Sequence, residues 1–289
     1  MLGVVRLPRR PSGWRAPGPA PASPQDQLDL WPRPGEDLCY LSGDWRILQR
    51  VDGHRWSLDD LVTAWVAADE LVAGRPYPDT ALRIADLGCG IGAVLMMMAW
   101  RFPETRLVGV EAQEVSVDLA RRSVAWNGAD DRCAVRLGDL RDPAVLPESG
   151  AFDLVTGTPP YLPPGTATES RRIQWAPCHF EHRGGIEAYC QTAARLMAPG
   201  GCFVVCAAAT QAARVAASTA AAGLGMVRYL EVIPRQGKGA LFRVYVMRHQ
   251  IDGASAPNPR VDPPLVVRDA AGRRTEQFRI VRCAMGMPP

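Results

Sequence analysis

The chain has 289 residues, 22% of them charged and 47% hydrophobic, with a formal net charge of +3. Such a composition belongs to a globular chain and not to a disordered or fibrous one, and the length suffices for one substantial core. No apolar run approaches the roughly 18–20 residues that span a bilayer, since the richest stretch, 202–209, is strand-sized; this argues against a membrane role, while the mild positive charge permits a nucleic-acid partner without requiring one. The eight cysteines include no Cys-x-x-Cys pair, which suits a reducing compartment. Cys178, His179, His182 and Cys190 have zinc-ligating chemistry but match no standard spacing, so no metal is expected.

Residues 1–36 are rich in proline and arginine, carry no acidic residue before Asp26 and show no apolar period, and are expected to form a disordered extension. An arginine-rich start is also the mark of a mitochondrial or plastid transit sequence, but Pro8, Pro11, Pro17, Pro19 and Pro21 interrupt the amphipathic helix such signals use, so a cytoplasmic protein is expected. Within 41–56 the pattern predicts a hairpin turning at Asp52-Gly53. Ser57 and Asp60 then open a helix that buries Leu61, Trp65, Ala68 and Leu71 and stops at Gly74 and Pro76.

After Pro78, strands alternate with helices. Strands are expected over 82–87, 106–110, 133–137, 152–156, 202–208, 226–233 and 241–247, and helices over 92–100, 114–126, 186–197 and 211–222, with an irregular stretch over 157–185. Met96, Met97 and Met98 are read as core filler. This alternation predicts an α/β fold with a doubly wound, seven-stranded, mostly parallel sheet. The last two strands are joined only by a glycine-rich turn, 236–239, too short for a crossover, so the last strand is antiparallel. The expected organisation is a 1–36 extension, a 37–250 domain and a 251–289 tail or small clasp.

The first strand runs into Asp86-Leu87-Gly88-Cys89-Gly90-Ile91-Gly92. Without a Cβ, Gly88, Gly90 and Gly92 let a ligand lie on the main chain, and the helix that follows offers free N–H groups. Gly88, Gly90 and Ala93 with Glu111 also satisfy the dinucleotide pattern, which keeps a nicotinamide oxidoreductase as an alternative. Asp86, however, precedes the first glycine, where a carboxylate suits the ammonium of an amino-acid-bearing cofactor, directly or through water, better than a pyrophosphate. S-Adenosylmethionine is such a cofactor. Laid across the strand ends, it would meet Glu111 at its ribose hydroxyls and Asp139 at its adenine amino group.

Strand 152–156 runs into Gly157-Thr158-Pro159-Pro160-Tyr161. Two consecutive prolines fix the backbone and remove two donors, leaving an acceptor-lined wall that suits an amino group, and Tyr161 offers a flat face to a planar substrate. The glycine loop, the antiparallel last strand and this double proline together resemble the class I S-adenosylmethionine-dependent methyltransferases, Rossmann-like enzymes of the small-domain type, over 41–248. Their (Asn/Asp/Ser)-Pro-Pro-(Tyr/Phe/Trp) motif is matched at Thr158 to Tyr161. Within that class, 48–50 with 53–60, 180–185 and 234–240 resemble the bacterial adenine-N6 methyltransferases of valine tRNA. The resemblance implies transfer of methyl to an amino nitrogen, N6 of an adenine in tRNA or other structured RNA, with catalytic roles for Thr158, Pro159, Pro160 and Tyr161 and no metal or covalent intermediate. Arg171, Arg172, His182, Arg183 and Lys238 flank the expected cleft and are candidate phosphate contacts. Thr158 stands where amino-directed members carry Asn or Asp, and its shorter branched hydroxyl either leaves the target to the carbonyl of Pro159 or implies a substrate other than adenine. A protein glutamine N5-methyltransferase and a non-catalytic relative that binds RNA or a partner are the alternatives.

Overall fold

The computed structural model describes residues 3–7, 10–73, 82–161, 181, 183–250 and 258–289. Twelve strands are described: β1 Val4–Val5, β2 Glu36–Tyr40, β3 Arg46–Arg50, β4 Arg83–Leu87, β5 Arg106–Glu111, β6 Cys133–Leu137, β7 Phe152–Gly157, β8 Met197–Ala208, β9 Leu224–Ile233, β10 Phe242–His249, β11 Arg260–Val261 and β12 Leu265–Val266. The α-helices are α1 Leu58–Ala73, α2 Ala93–Arg101, α3 Glu114–Trp126, α4 Ile186–Leu196, α5 Ala212–Ala221 and α6 Glu276–Ala284. Among the described residues no helix is long and apolar enough to cross a membrane.

The main sheet runs β11-β9-β10-β8-β7-β4-β5-β6. Strands β4 to β8 pair in parallel, whereas β10 lies antiparallel between β8 and β9. Residues 234–241 are too few for a parallel crossover, so the expected antiparallel ending is found. Its inner strands are buried on both faces by simple alternation. Ile84 faces one core with Leu154, Val204 and Val244, while Ala85 and Leu87 face the other with Val155, Val205 and Tyr245. The first face is covered by α1, α2, α3 and α6, the second by α4 and α5. Met96, Met97 and Met98 are all fully buried, the filler role expected of them.

The sheet extends beyond the seven strands expected, because β11 and β12 add in parallel to the edge of β9. The C-terminal segment that holds β11 and β12 is thereby joined to the sheet edge. Arg228 on β9 ties it down, pairing with Asp262 at 2.6 Å and with Asp69 and Glu70 of α1 at 2.6 and 2.9 Å. Phe278 and Val281 of α6, with Met285 and Met287 beyond it, are buried in the same core as α1.

Two expectations are corrected at the N-terminus. Residues 3–7 and 10–36 are not a loose extension: β1 pairs in parallel with β2, Leu30 is buried, and Trp31 meets Trp126 edge to face at 5.5 Å. Prolines disfavour an α-helix there, leaving one 3-10 turn at Leu28–Leu30, but an extended chain needs only a few apolar anchors to dock. The hairpin joins β2 to β3 and turns over 41–45, not at Asp52-Gly53. There Trp45 N donates to the Ser42 carbonyl at 2.8 Å, Leu41 N to the Trp45 carbonyl at 2.9 Å, and Gly43 takes a φ of 54°. Burial of Trp45 fixes this register against the turn propensity of Asp-Gly.

Candidate active site

The carboxyl ends of β4, β5, β6 and β7 open onto a cavity of about 420 Å³, at the place where strand order reverses and open α/β sheets bind ligands. That volume lies within the roughly 300–1,000 Å³ of small-molecule sites. The cavity touches Gly88 to Ile91, Glu111, Asp139 and all of Thr158 to Tyr161.

The glycine loop turns because Gly88, Gly90 and Gly92 all take left-handed φ values, 59°, 55° and 85°. A Cβ on Gly88 would fall 2.0 Å from the Tyr189 hydroxyl of α4, whereas one on Gly90 would meet nothing within 4 Å. Gly88 is thus demanded by packing, and Gly90 presents bare backbone to the cavity. Glu111 closes the loop from the next strand. Its Oε2 accepts from Gly90 N at 3.0 Å and its Oε1 from Gln113 N at 2.8 Å. Burial pushes its carboxyl up, against the pull of those amides. Each oxygen retains a lone pair for a further donor.

Asp86 takes a different position from one facing a ligand. In register with Thr156 across the β4–β7 pair, it accepts from the Thr156 hydroxyl at 2.8 Å through Oδ1 and from Leu95 N of α2 at 3.1 Å through Oδ2. It is 2% exposed and does not line the cavity. Asp86 therefore anchors the helix that follows the glycine loop, and burial pushes its carboxyl up to about 7. Asp139 lines the cavity with both oxygens on the Arg141 guanidinium, at 2.9 and 2.6 Å, which holds its carboxyl below the usual range.

The double-proline segment faces the loop from β7, but Tyr161 is not a free stacking surface. Its ring packs on the α1 core, its hydroxyl lies 3.0 Å from Asp59 Oδ2 and from Cys206 Sγ, and its carbonyl accepts from the Gln211 amide at 2.9 Å. The motif is thereby fastened to the front of α1. That helix also brings in Asp59 and Asp60, which line the cavity and were not singled out as site residues from sequence. Asp60 is 8% exposed and accepts from Ser57 N at 2.8 Å; burial, with Asp59 beside it, pushes its carboxyl well up. Tyr189, also missed, backs both Gly88 and Gly157, where a Cβ would fall 2.7 Å from its ring. The capping pattern at Ser57 reads equally as helix start, and the resemblance of the segment ending at Asp60 assigned that residue no role. Of the expected phosphate contacts, Arg183 lines the cavity and Lys238 sits exposed on the β9–β10 turn. Arg171, Arg172 and His182, like Cys178 and His179, lie outside the described residues.

Residues 84–169 match the family model described as a methyltransferase domain. Among curated proteins the chain is similar to the 4-amino-L-phenylalanine/4-methylamino-L-phenylalanine methyltransferase of Streptomyces pristinaespiralis, 35% identical over 50% of each chain. It is similar to the release factor glutamine methyltransferase of Mycobacterium leprae, 32% identical over 50% of each. The tRNA1(Val) (adenine(37)-N6)-methyltransferase of Aeromonas hydrophila is 29% identical over 61% of this chain and 72% of that protein. The chain thus spans about half the length of the first two of these relatives. All three are named as methyltransferases whose acceptor carries an amino or amide nitrogen. A crystal structure of a predicted O-methyltransferase from Agrobacterium tumefaciens superposes with a TM-score of 0.58 over 80% of this chain and 98% of that one, at 22% identity, which shows the shared fold. With the sheet order, the antiparallel β10 and the site at the strand ends, these matches show that the chain has the class I methyltransferase fold, with residues 84–169 similar to a methyltransferase domain.

Proposed function

We propose that this chain transfers a methyl group from S-adenosylmethionine to an amino nitrogen, N6 of an adenine in tRNA or another structured RNA. The observation that carries this reading is the shared cavity, in which a glycine loop tied to Glu111 faces the acceptor wall of Thr158 to Pro160. The cofactor fits the residues present. Gly90 leaves open backbone, the Glu111 oxygens have free lone pairs for ribose hydroxyls, and Asp139 reaches the cavity from the next strand end. When bound, S-adenosylmethionine supplies a methyl group activated by its sulfonium.

The chain's own contribution is alignment. The carbonyls of Pro159 and Pro160 and the Thr158 hydroxyl are acceptors that can hold an amino group by its protons, turning its lone pair inward. Fixed dipoles in a closed site need no reorganisation as charge develops on the nitrogen. Asp60, buried at the same cavity, is placed to take the proton that the nitrogen sheds after methylation.

The RNA reading is supported by the Aeromonas relative, of which the chain covers 72%. An aryl amine or a glutamine amide is the second reading, favoured by the Streptomyces and Mycobacterium relatives and by the acidic Asp59–Asp60 wall. Isothermal titration with S-adenosylmethionine, followed by methyl-label incorporation into total tRNA, total protein or 4-aminophenylalanine, separates these readings. Label in tRNA alone is expected; label in protein or in the amino acid overturns the RNA substrate, and failure to bind the cofactor overturns the reading itself.

A further inference from the structure

A second cavity, of about 410 Å³, is lined by the N-terminal segment, the β2–β3 hairpin and the C-terminal residues after α6. Four arginines line it: Arg6, Arg10, Arg55 and Arg282. Two carboxylates answer three of them. Arg6 and Arg55 share the buried Asp37, at 2.8 and 3.2 Å, and Arg10 pairs with Asp44 at 2.7 Å.

Arg282 has no carboxylate partner among the described residues. Its Nε donates to the Pro288 carbonyl at 2.8 Å and its Nη1 approaches Met287 Sδ at 3.8 Å. Burial, reinforced by the nearby Arg274, lowers its pKa to about 10. Arg46 adds a further guanidinium, stacked 3.5 Å from the centre of the Tyr40 ring that lines the cavity. Four guanidinium groups thus line the cavity against two carboxylates, a surplus of positive charge that becomes favourable when an anion fills the gap.

One run of chain, residues 54–57, contributes to the lining of both cavities. His54 and Ser57 line the candidate active site, and Arg55 and Trp56 line the arginine cavity. With consecutive Cα atoms about 3.8 Å apart, a polyanion entering the first cavity with one group can leave a neighbouring charge in the second. Arg6 and Arg55 are 50% and 41% exposed, so the mouth is open to solvent.

We propose that this arginine cavity binds a backbone phosphate of the RNA that presents its target base to the candidate active site. The proposal rests on the RNA reading above and deepens it by assigning a site to the polyanion. A phosphate there gains bidentate guanidinium contacts and releases counterions, which makes the contribution salt-dependent.

The test uses the full chain with S-adenosylmethionine present. Binding of labelled total tRNA is followed by fluorescence anisotropy from about 50 to about 200 mM salt, the range over which phosphate contacts weaken strongly, for wild type, Arg282→Gln, Arg55→Gln and the control Arg279→Gln. Arg279 lies on α6, pairs with Glu276 at 3.4 Å and is outside the cavity. Each cavity variant is expected to weaken binding several-fold at low salt and to flatten the salt slope by about 1, with cofactor affinity unchanged and the control behaving as wild type. Two sites of substitution guard against misfolding of one, and a thermal melt checks each. Wild-type affinity and slope in both cavity variants would overturn the proposal. So would tRNA binding that ignores Arg282 while millimolar inorganic phosphate stabilises the protein in an Arg282-dependent way, since the site would then take a free phosphate. A wild type that binds no S-adenosylmethionine is a failure of the methyltransferase reading and shows itself separately.

Discussion

Glu111 and Gly88 carry the sharpest consequences at the scale of single residues. Replacing Glu111 by Ala removes the acceptor of the Gly90 and Gln113 amides and, on the proposed function, of the cofactor ribose. At about 1.5–3 kcal/mol for a hydrogen bond to a charged group, cofactor affinity should fall at least tenfold by calorimetry, with Glu111→Gln intermediate. Gly88→Ala should destabilise the apo chain in urea by about 1–3 kcal/mol, from the left-handed φ and the collision with Tyr189. Adding Tyr189→Phe deletes the hydroxyl and should restore part of that loss; no restoration would refute the packing account of this glycine. Asp86 and Asp60 predict the pH dependence. Both carboxyls are raised above their unfolded values, so the folded chain holds protons the unfolded chain has released, and this stability is present at low pH and lost as pH rises through the folded values. The urea midpoint should therefore fall between pH 5 and 7.5, and Asp86→Asn should flatten the fall; a midpoint that rises over that window contradicts the assignment. The loop glycines and Glu111 were legible in sequence because a left-handed turn and a strand-end carboxylate leave local marks. The retreat of Asp86 from the cavity was not, since it depends on Thr156, a partner 70 residues away whose register only the sheet sets.

Among the elements, the regular strands and helices could be read from their periods, and the antiparallel β10 from the shortness of 234–241. What escaped was structure made by isolated anchors. The N-terminal segment docks through Leu30 and Trp31, and the tail docks through Arg228 and α6. Neither device has a period, and Asp52-Gly53 is a turn signal overruled by the burial of Trp45. Arg228 bridges α1, β9 and the tail with a side chain only 7% exposed. Arg228→Ala should cost about 3–5 kcal/mol, the scale for breaking a buried ion pair, and a similar loss is expected for Phe278→Ala through the cavity it leaves under α6. Urea denaturation measures both. Wild-type stability in both variants would mean that the tail is not part of the cooperative unit.

The whole molecule places one cavity at the carboxyl ends of β4 to β7, where the strand order reverses, and a second, arginine-lined cavity that shares the 54–57 segment with it. The fold class and the glycine loop were legible because the alternation of strands and helices and the two core motifs are properties of short segments. The arginine cavity was not, because it gathers residues from distant parts of the chain, and the acidic front of α1 was not, because Asp59 and Asp60 read equally as helix-start residues. The proposed chemistry follows from what lines the first cavity: the glycine loop, the double-proline segment and a buried carboxylate meet in a space of about 420 Å³. The most direct measurement is to incubate the full chain with methyl-labelled S-adenosylmethionine and unmodified tRNA, digest the RNA to nucleosides and separate them. The account predicts label in N6-methyladenosine, lost in a Glu111→Ala control; a chain that binds cofactor and RNA yet leaves every adenosine unlabelled would contradict it.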